Sequence, residues 1–226
     1  MGFTVELRPQ AKDGTMNSNN PSAHVQQLIL SVQSCQICES SLPLGPNPIF
    51  QIDRQSKILI AGQAPGRRAH ETTVPFDDPS GDRLRHWLGV SKDVFYDAKK
   101  VAILPMGFCF PGTGKSGDLP PRPECAPIWR HQLLSILENV ELTLVIGQYA
   151  QKWHLPDMKG NLTDKVRTWK SPATGVIALP HPSPRNNIWL KKNPWFEEQL
   201  IPDLQCAVKR ALGPDEYTAK ETQLNS

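Results

Sequence analysis

Long apolar runs are missing from this chain. Nothing in it approaches the roughly 18 consecutive apolar residues of a membrane span, and the opening residues MGFTVELRPQAKDG lack the apolar stretch of a secretory signal. A cytoplasmic protein with no membrane partner is the expectation. Surplus charge is missing too: 25 Lys and Arg against 22 Asp and Glu leave +3. The pI of about 8.6 falls short of the value above roughly 9 that marks a nucleic-acid binder by charge alone, so composition leaves the partner open. A second C-x-x-C pair is absent as well, which bears on the metal chemistry below.

The 226 residues, 38% of them hydrophobic, suffice for one substantial core and fall short of two ordinary domains. Proline is plentiful, 22 residues or about twice the ~5% average, and clusters where a loop-rich working surface belongs. Residues 1–22 and 213–226 are polar and lack a sustained period, so they read as flexible tails flanking one domain over 23–212. Val25, Leu28, Ile29 and Val32 stand at helical spacing just before Cys35. Apolar runs at 57–61, 101–104, 142–146 and 176–179 read as buried strands, and helical patterns lie between them at 81–88, 129–137 and 149–153. Strands alternating with helices predict a three-layer α/β/α fold around a central, mainly parallel four-stranded sheet. Ligands in such sheets sit beyond the carboxyl ends of the strands. GQAPG, PMGFCFPG, GQYAQ and HPSPRNN all fall there.

Five cysteines in a reducing compartment call for metal ligation or burial rather than disulfides. Cys35 and Cys38 form a C-x-x-C pair, and Cys109 and Cys125 follow with fifteen residues between them. Four such thiolates suit a tetrahedral zinc or a 4Fe-4S cubane. The missing second C-x-x-C favours the cluster and leaves zinc as the alternative. The bland reading, four scattered buried cysteines, is weakened by the Gly- and Pro-rich loop between Cys109 and Cys125. Cys206, on an expected helix, reads as buried.

GQAPG after a strand is a weak signal alone, since many glycine turns reverse the chain or bind phosphate. Residues 62–82 read on as GQAPGRRAHETTVPFDDPSGD, and residues 181–187 read HPSPRNN. Together, over roughly residues 24–208, these resemble the uracil-DNA glycosylase superfamily, with its G-x-x-P-x first motif, a following aromatic and a late H-P-S-P motif. The cysteine spacing is similar to the iron-sulfur branches called families 4 and 5, whereas HPSPRN is closer to the single-strand-selective branch.

The resemblance implies a monofunctional glycosylase that hydrolyses the N-glycosidic bond of uracil in DNA, with other deaminated bases as further substrates, in base excision repair; it also implies a monomer. Removing a base requires extruding it, gripping it on an aromatic face, stabilising charge on the leaving base and guiding water to the sugar. Phe76 matches the stacking aromatic, or else is a core Phe. His181 matches the histidine that hydrogen-bonds a carbonyl of the leaving base, or else ends a strand. Backbone N–H groups of Gln63 and Ala64 are further donors. The most active branch carries Asp where Ala64 stands, so Asp78, matching a family 5 loop Asp, is the expected water-activating carboxylate. Asp77 and Glu71 are alternatives, His70 an orienting group, and a helix cap the plain reading of Asp78 or Asp82.

Iron-sulfur members commonly place Asn where Pro105 stands, which leaves base reading to the main chain near Met106 and Gly107. Arg185, Asn186 and Asn187 lie where the superfamily presses a loop into the minor groove, with Ile188, Trp189 and Leu190 as apolar wedge. Lys191, Lys192, Arg67, Arg68, Arg83 and Arg85 are candidates for phosphate contact. A non-cleaving binder of damaged or single-stranded DNA is the second reading, because Ala64 and Pro105 replace two helpful groups. An iron-sulfur redox protein is the third, and it gives HPSP no task.

Overall fold

The computed structural model describes residues 21–115, 117–169 and 175–213. The two tails expected from sequence lie almost wholly outside the described residues. The exceptions are helix α1, Pro21–Gln33, which begins two positions inside the first of them, and Gly213, the first residue of the second.

Four strands form the central sheet: β1 (Ile58–Ala61), β2 (Val101–Ile103), β5 (Leu142–Ile146) and β6 (Val176–Leu179). Their order is β2-β1-β5-β6 and every pairing is parallel. The strands are buried almost throughout, which explains why they read as unbroken apolar runs rather than alternating ones. Alternate residues of β1 face opposite layers. Ile58 and Ile60 join Leu84 and Trp87 of α3 (Pro79–Leu88) and Leu204 and Val208 of α9 (Ile201–Leu212). Leu59 joins Val32 of α1 and Leu133 of α5 (Cys125–Leu134) on the other side. This is the expected three-layer α/β/α arrangement.

The remaining elements are short: α2 (Arg67–Thr72), α4 (Lys92–Tyr96), α6 (Gly147–His154), α7 (Leu162–Val166), α8 (Asn187–Lys192) and a hairpin of β3 (Thr113–Gly114) with β4 (Gly117–Asp118). Helix α3 starts two residues before its apolar pattern, because Pro79 suits the first helical position and Asp78 caps it. Helix α5 starts four residues early and stops at Leu134, so Cys125 opens it, and Ile136 and Leu137 are buried in the turns that follow.

Cys206 corrects the expectation of burial. It lies on α9 but is exposed, because Leu204, Val208, Ala211 and Leu212 occupy the face turned to the core. Among the described residues no helix is long and apolar enough to cross a membrane.

Candidate functional site

A cleft of about 520 Å³ opens over the carboxyl ends of β1 and β2 and is lined by both motif loops. From the first come Gly62 to Gly66, Phe76, Asp78 and Ser80; from the second come His181 and Ser183 to Asn186. Pro105 and the hairpin residues Gly117 and Asp118 complete it. Separate stretches of sequence meet here because parallel strands deliver their following loops to one edge.

Phe76 is held in an unusual backbone. Its φ is +55°, a left-handed conformation that bulky residues rarely adopt and that clusters at working sites. The Tyr96 hydroxyl is placed to donate to the carbonyls of Pro75 at 3.0 Å and Phe76 at 3.3 Å, and the ring meets Phe95 edge-on with centroids 6.1 Å apart. Ring carbon Cζ lies 3.5 Å from where a Cβ on Gly62 would stand. The half-buried ring therefore forms one wall of the cleft, beside a glycine that lets the backbone come close.

His181 is partly buried, and burial pushes its pKa below the ordinary histidine value; the Asp78 and Asp118 carboxylates oppose that shift and Arg185 adds to it. The Ser183 N–H donates to Nδ1 at 3.2 Å, so Nδ1 is the bare nitrogen of the neutral ring and Nε2 carries the hydrogen. The backbone thereby fixes a tautomer with a single N–H donor. Asn186 steadies the same loop by donating from Nδ2 to the His181 carbonyl at 2.7 Å.

Asp78 accepts the Gly81 N–H on Oδ1 at 2.9 Å, capping α3. The cap orients the carboxylate with Oδ2 toward the Gly66 backbone, 3.9 Å from where a Cβ there would stand. Of the three carboxylates weighed from sequence, Asp78 lines the cleft, while Asp77 pairs with Arg68 at 3.7 Å and Glu71 is exposed on α2. His70 packs against Phe110 with centroids 6.2 Å apart and is not among the cleft-lining residues.

The expectation for Met106 and Gly107 needs correction. Their N–H groups are bonded to the carbonyls of Gly62 and Gln63, each at 3.0 Å, and Gly107 faces the cysteine pocket instead. The bonds that lock the two loops together take the N–H half of that main chain and leave its carbonyls. Gln63 and Ala64 do line the cleft, and no described residue takes their N–H groups.

Beneath Pro105 lies a support that sequence reading missed. Arg130, fully buried, donates from Nη1 to the carbonyls of Leu104 at 2.9 Å and Pro105 at 3.1 Å, and its Nε meets His154 Nε2 at 3.2 Å. Burial, then the Arg130 charge, lowers the His154 pKa to about 4. An unfolded histidine titrates near 6.5, so the unfolded chain binds more protons in between. The stabilisation from neutral His154 is whole above about pH 6.5 and disappears as pH falls toward 4, an effect of order 3 kcal/mol. Urea melts at pH 7 and pH 5 are expected to show wild type losing about 2 kcal/mol more than His154→Gln, which keeps an acceptor and cannot charge.

The proposed DNA contacts divide. Arg185, Asn187, Lys191 and Lys192 are exposed, and Ile188 is 68% exposed. Trp189 is not a wedge, because its indole N–H donates to Thr163 at 2.9 Å and its ring packs on Trp195 and Phe196; Leu190 packs against the main core. Arg85 lies over the rings of Phe95 and Tyr96 and pairs with Asp82, and Arg83 donates to the Ser183 carbonyl at 3.2 Å. Both arginines serve the fold rather than a phosphate face. Arg67 and Arg68 remain on the exposed side of α2.

Cys35, Cys38, Cys109 and Cys125 line one pocket with Val32, Leu42, Phe108, Ile128 and Trp129. Among the described residues no three His, Cys, Asp or Glu side chains close to metal-binding geometry. The lining is sulfur-rich and otherwise largely apolar, with Arg122 paired to Glu124 at 2.9 Å. Burial raises Cys109 to about 11 and Cys125 to about 12, so their thiolates need a cation beside them. Arg122 Nε and Trp129 Nε1 are buried there as N–H donors with no partner among the described residues, which marks groups suited to an added acceptor.

The stretch between Cys109 and Cys125 is the main element that sequence reading left blank. Its hairpin crosses to the cleft, where Gln63 Nε2 donates to the Leu119 carbonyl at 3.3 Å and Arg185 Nη1 occupies the space that a side chain at Gly117 would take. The signal was present in GKSG, a turn dense in glycine between extended residues.

Comparison with known proteins gives two findings. The model of the uracil DNA glycosylase superfamily matches residues 49–205. The solution NMR structure of a candidate uracil DNA glycosylase from Methanosarcina acetivorans is 15% identical, and the match covers 71% of this chain and 98% of that one at a TM-score of 0.42.

Proposed function

Since the chain belongs to the uracil-DNA glycosylase superfamily, we propose that it is a monofunctional DNA glycosylase that hydrolyses the N-glycosidic bond of uracil, and of other deaminated bases, in DNA. The observation that carries this reading is the meeting of Phe76, Asp78 and the fixed N–H of His181 in one cleft. A base seated on the Phe76 ring presents a carbonyl to His181. As the sugar–base bond breaks, its electron pair moves onto the base, and an N–H already aimed at that oxygen stabilises the developing charge most. Asp78 Oδ2 holds the attacking water and faces the positive charge on the sugar. No lysine lines the cleft among the described residues, in keeping with hydrolysis by water rather than a Schiff base.

Pro105 offers no side-chain hydrogen bond to a base edge, which supports substrates beyond uracil. Exposed Ile188, Arg185, Asn187, Lys191 and Lys192 form the surface for the duplex, with Ile188 as the wedge. Cys35, Cys38, Cys109 and Cys125 would hold a 4Fe-4S cluster, which when bound supplies a structural crosslink for the loop between Cys109 and Cys125.

The test is incubation with oligonucleotides carrying uracil, hypoxanthine or xanthine, single- and double-stranded, followed by alkali. Cleavage at the lesion is expected. An intact panel would defeat the enzyme reading, and tight retention without base release would place the chain among non-cleaving binders. In the same assay Asp78→Asn is expected to lower turnover about 10²-fold with little change in DNA binding; full activity in that variant would remove Asp78 from the reaction.

A further inference from the structure

Asp118 enters the cleft from β4, a segment with no counterpart among the motif residues. Its Oδ2 lies 3.4 Å from the point where a Cβ on Gly66 would stand, and Asp78 Oδ2 lies 3.9 Å from that same point. Two carboxylates thus flank one bare stretch of backbone, and both act on His181 electrostatically. Their situations differ. Asp78 accepts the Gly81 N–H that caps α3, a bond strengthened by the negative charge. Asp118 receives no hydrogen bond from a described residue and is open to solvent. A proton placed on Asp78 weakens a helix cap, whereas a proton placed on Asp118 breaks no hydrogen bond to a described residue.

We propose that Asp118 is a catalytic carboxylate that takes the proton from the attacking water, while Asp78 orients that water. The inference rests on the glycosylase reading above. In the step, the water oxygen bonds to sugar C1′ as the C1′–N bond breaks, the bonding pair leaves on the base, and one water proton passes to Asp118. The hairpin holds the carboxylate in place through Gln63 on the Leu119 carbonyl and through the Arg185 contact with Gly117.

Single-turnover release of uracil from a duplex oligonucleotide tests this with Asp118→Asn, Asp118→Ala and wild type, each checked by thermal melting. Asp118→Asn is expected to slow release at least about 30-fold with DNA affinity within about twofold. Formate, small enough to enter the opened cleft, is expected to restore Asp118→Ala at least about tenfold, which a purely structural role would not allow. Wild-type activity with Asp118→Asn within threefold of it would overturn the proposal and leave the function standing. So would a well-folded Asp118→Ala that formate fails to rescue. Wild type inert on the whole lesion panel would overturn both.

Discussion

His181→Ala is expected to slow base release by about 10²- to 10³-fold while leaving DNA affinity and melting temperature close to wild type, measured by single-turnover kinetics and by binding to an uncleavable duplex. The magnitude is that of removing one preorganised donor from a site where negative charge develops. Three features support so large a value. The Ser183 N–H on Nδ1 leaves Nε2–H as the single donor. Burial, the largest influence, holds the ring pKa below its ordinary value, so the ring is neutral at pH 7. The loop that carries the ring is also held before the base arrives, through Asn186 on the His181 carbonyl.

The pH dependence has a definite sign. A histidine that must be neutral, with its pKa lowered, keeps the enzyme active as pH falls through 6.5, and the loss begins only below that. Unchanged turnover in His181→Ala would show that charge on the leaving base is stabilised elsewhere, with the free N–H groups of Gln63 and Ala64 next in line.

Gly81→Ala is expected to be the most damaging single methyl in the chain. A Cβ at Gly81 would overlap the Phe76 carbonyl oxygen and stand 2.8 Å from its carbonyl carbon and 2.9 Å from its Cβ. Those are backbone and near-backbone atoms, so no flexible side chain can swing away. Relief requires moving either the first turn of α3 or the left-handed residue Phe76, whose ring walls the cleft. The Gly81 N–H also holds Asp78, so the displacement reaches the carboxylate too. Overpacking of this kind costs about 3 kcal/mol, which in a chain of this size lowers Tm by roughly 10 °C, and base release is expected to fall below detection. A calorimetric scan beside the uracil assay checks both; a variant with wild-type melting and activity would show that the contact between α3 and Phe76 relaxes freely.

Much of the architecture was legible from sequence because buried parallel strands write themselves as apolar runs; the runs at 142–146 and 176–179 match β5 and β6 residue for residue. The lining of the cleft was legible where a short motif holds both its residues and their neighbours, as with Phe76, Asp78 and His181. It was not legible where the roles are set by distant partners. The main chain near Met106 and Gly107 was the expected reader of the base, but the N–H groups of both are bonded to Gly62 and Gln63, far from them in sequence. Trp189 and Arg85 carry the right chemistry for DNA, yet Thr163, Trp195 and the Phe95 ring claim them from elsewhere in the chain. Arg130 and His154 are 24 residues apart, and nothing in either neighbourhood announces a buried pair. Cys206 was misjudged because a helix has two faces, and an apolar residue type does not say which one it occupies.

The contact between Arg185 and Gly117 has an evolutionary reading. The loop bounded by Cys109 and Cys125 and the loop after HPSP cannot drift independently, since the first must open its returning strand on a glycine for the Arg185 side chain to come so close. Relatives that lengthen or trim the hairpin are therefore expected to change residue 185 as well, so these two positions should vary together across an alignment while the hairpin tip at 115 varies freely.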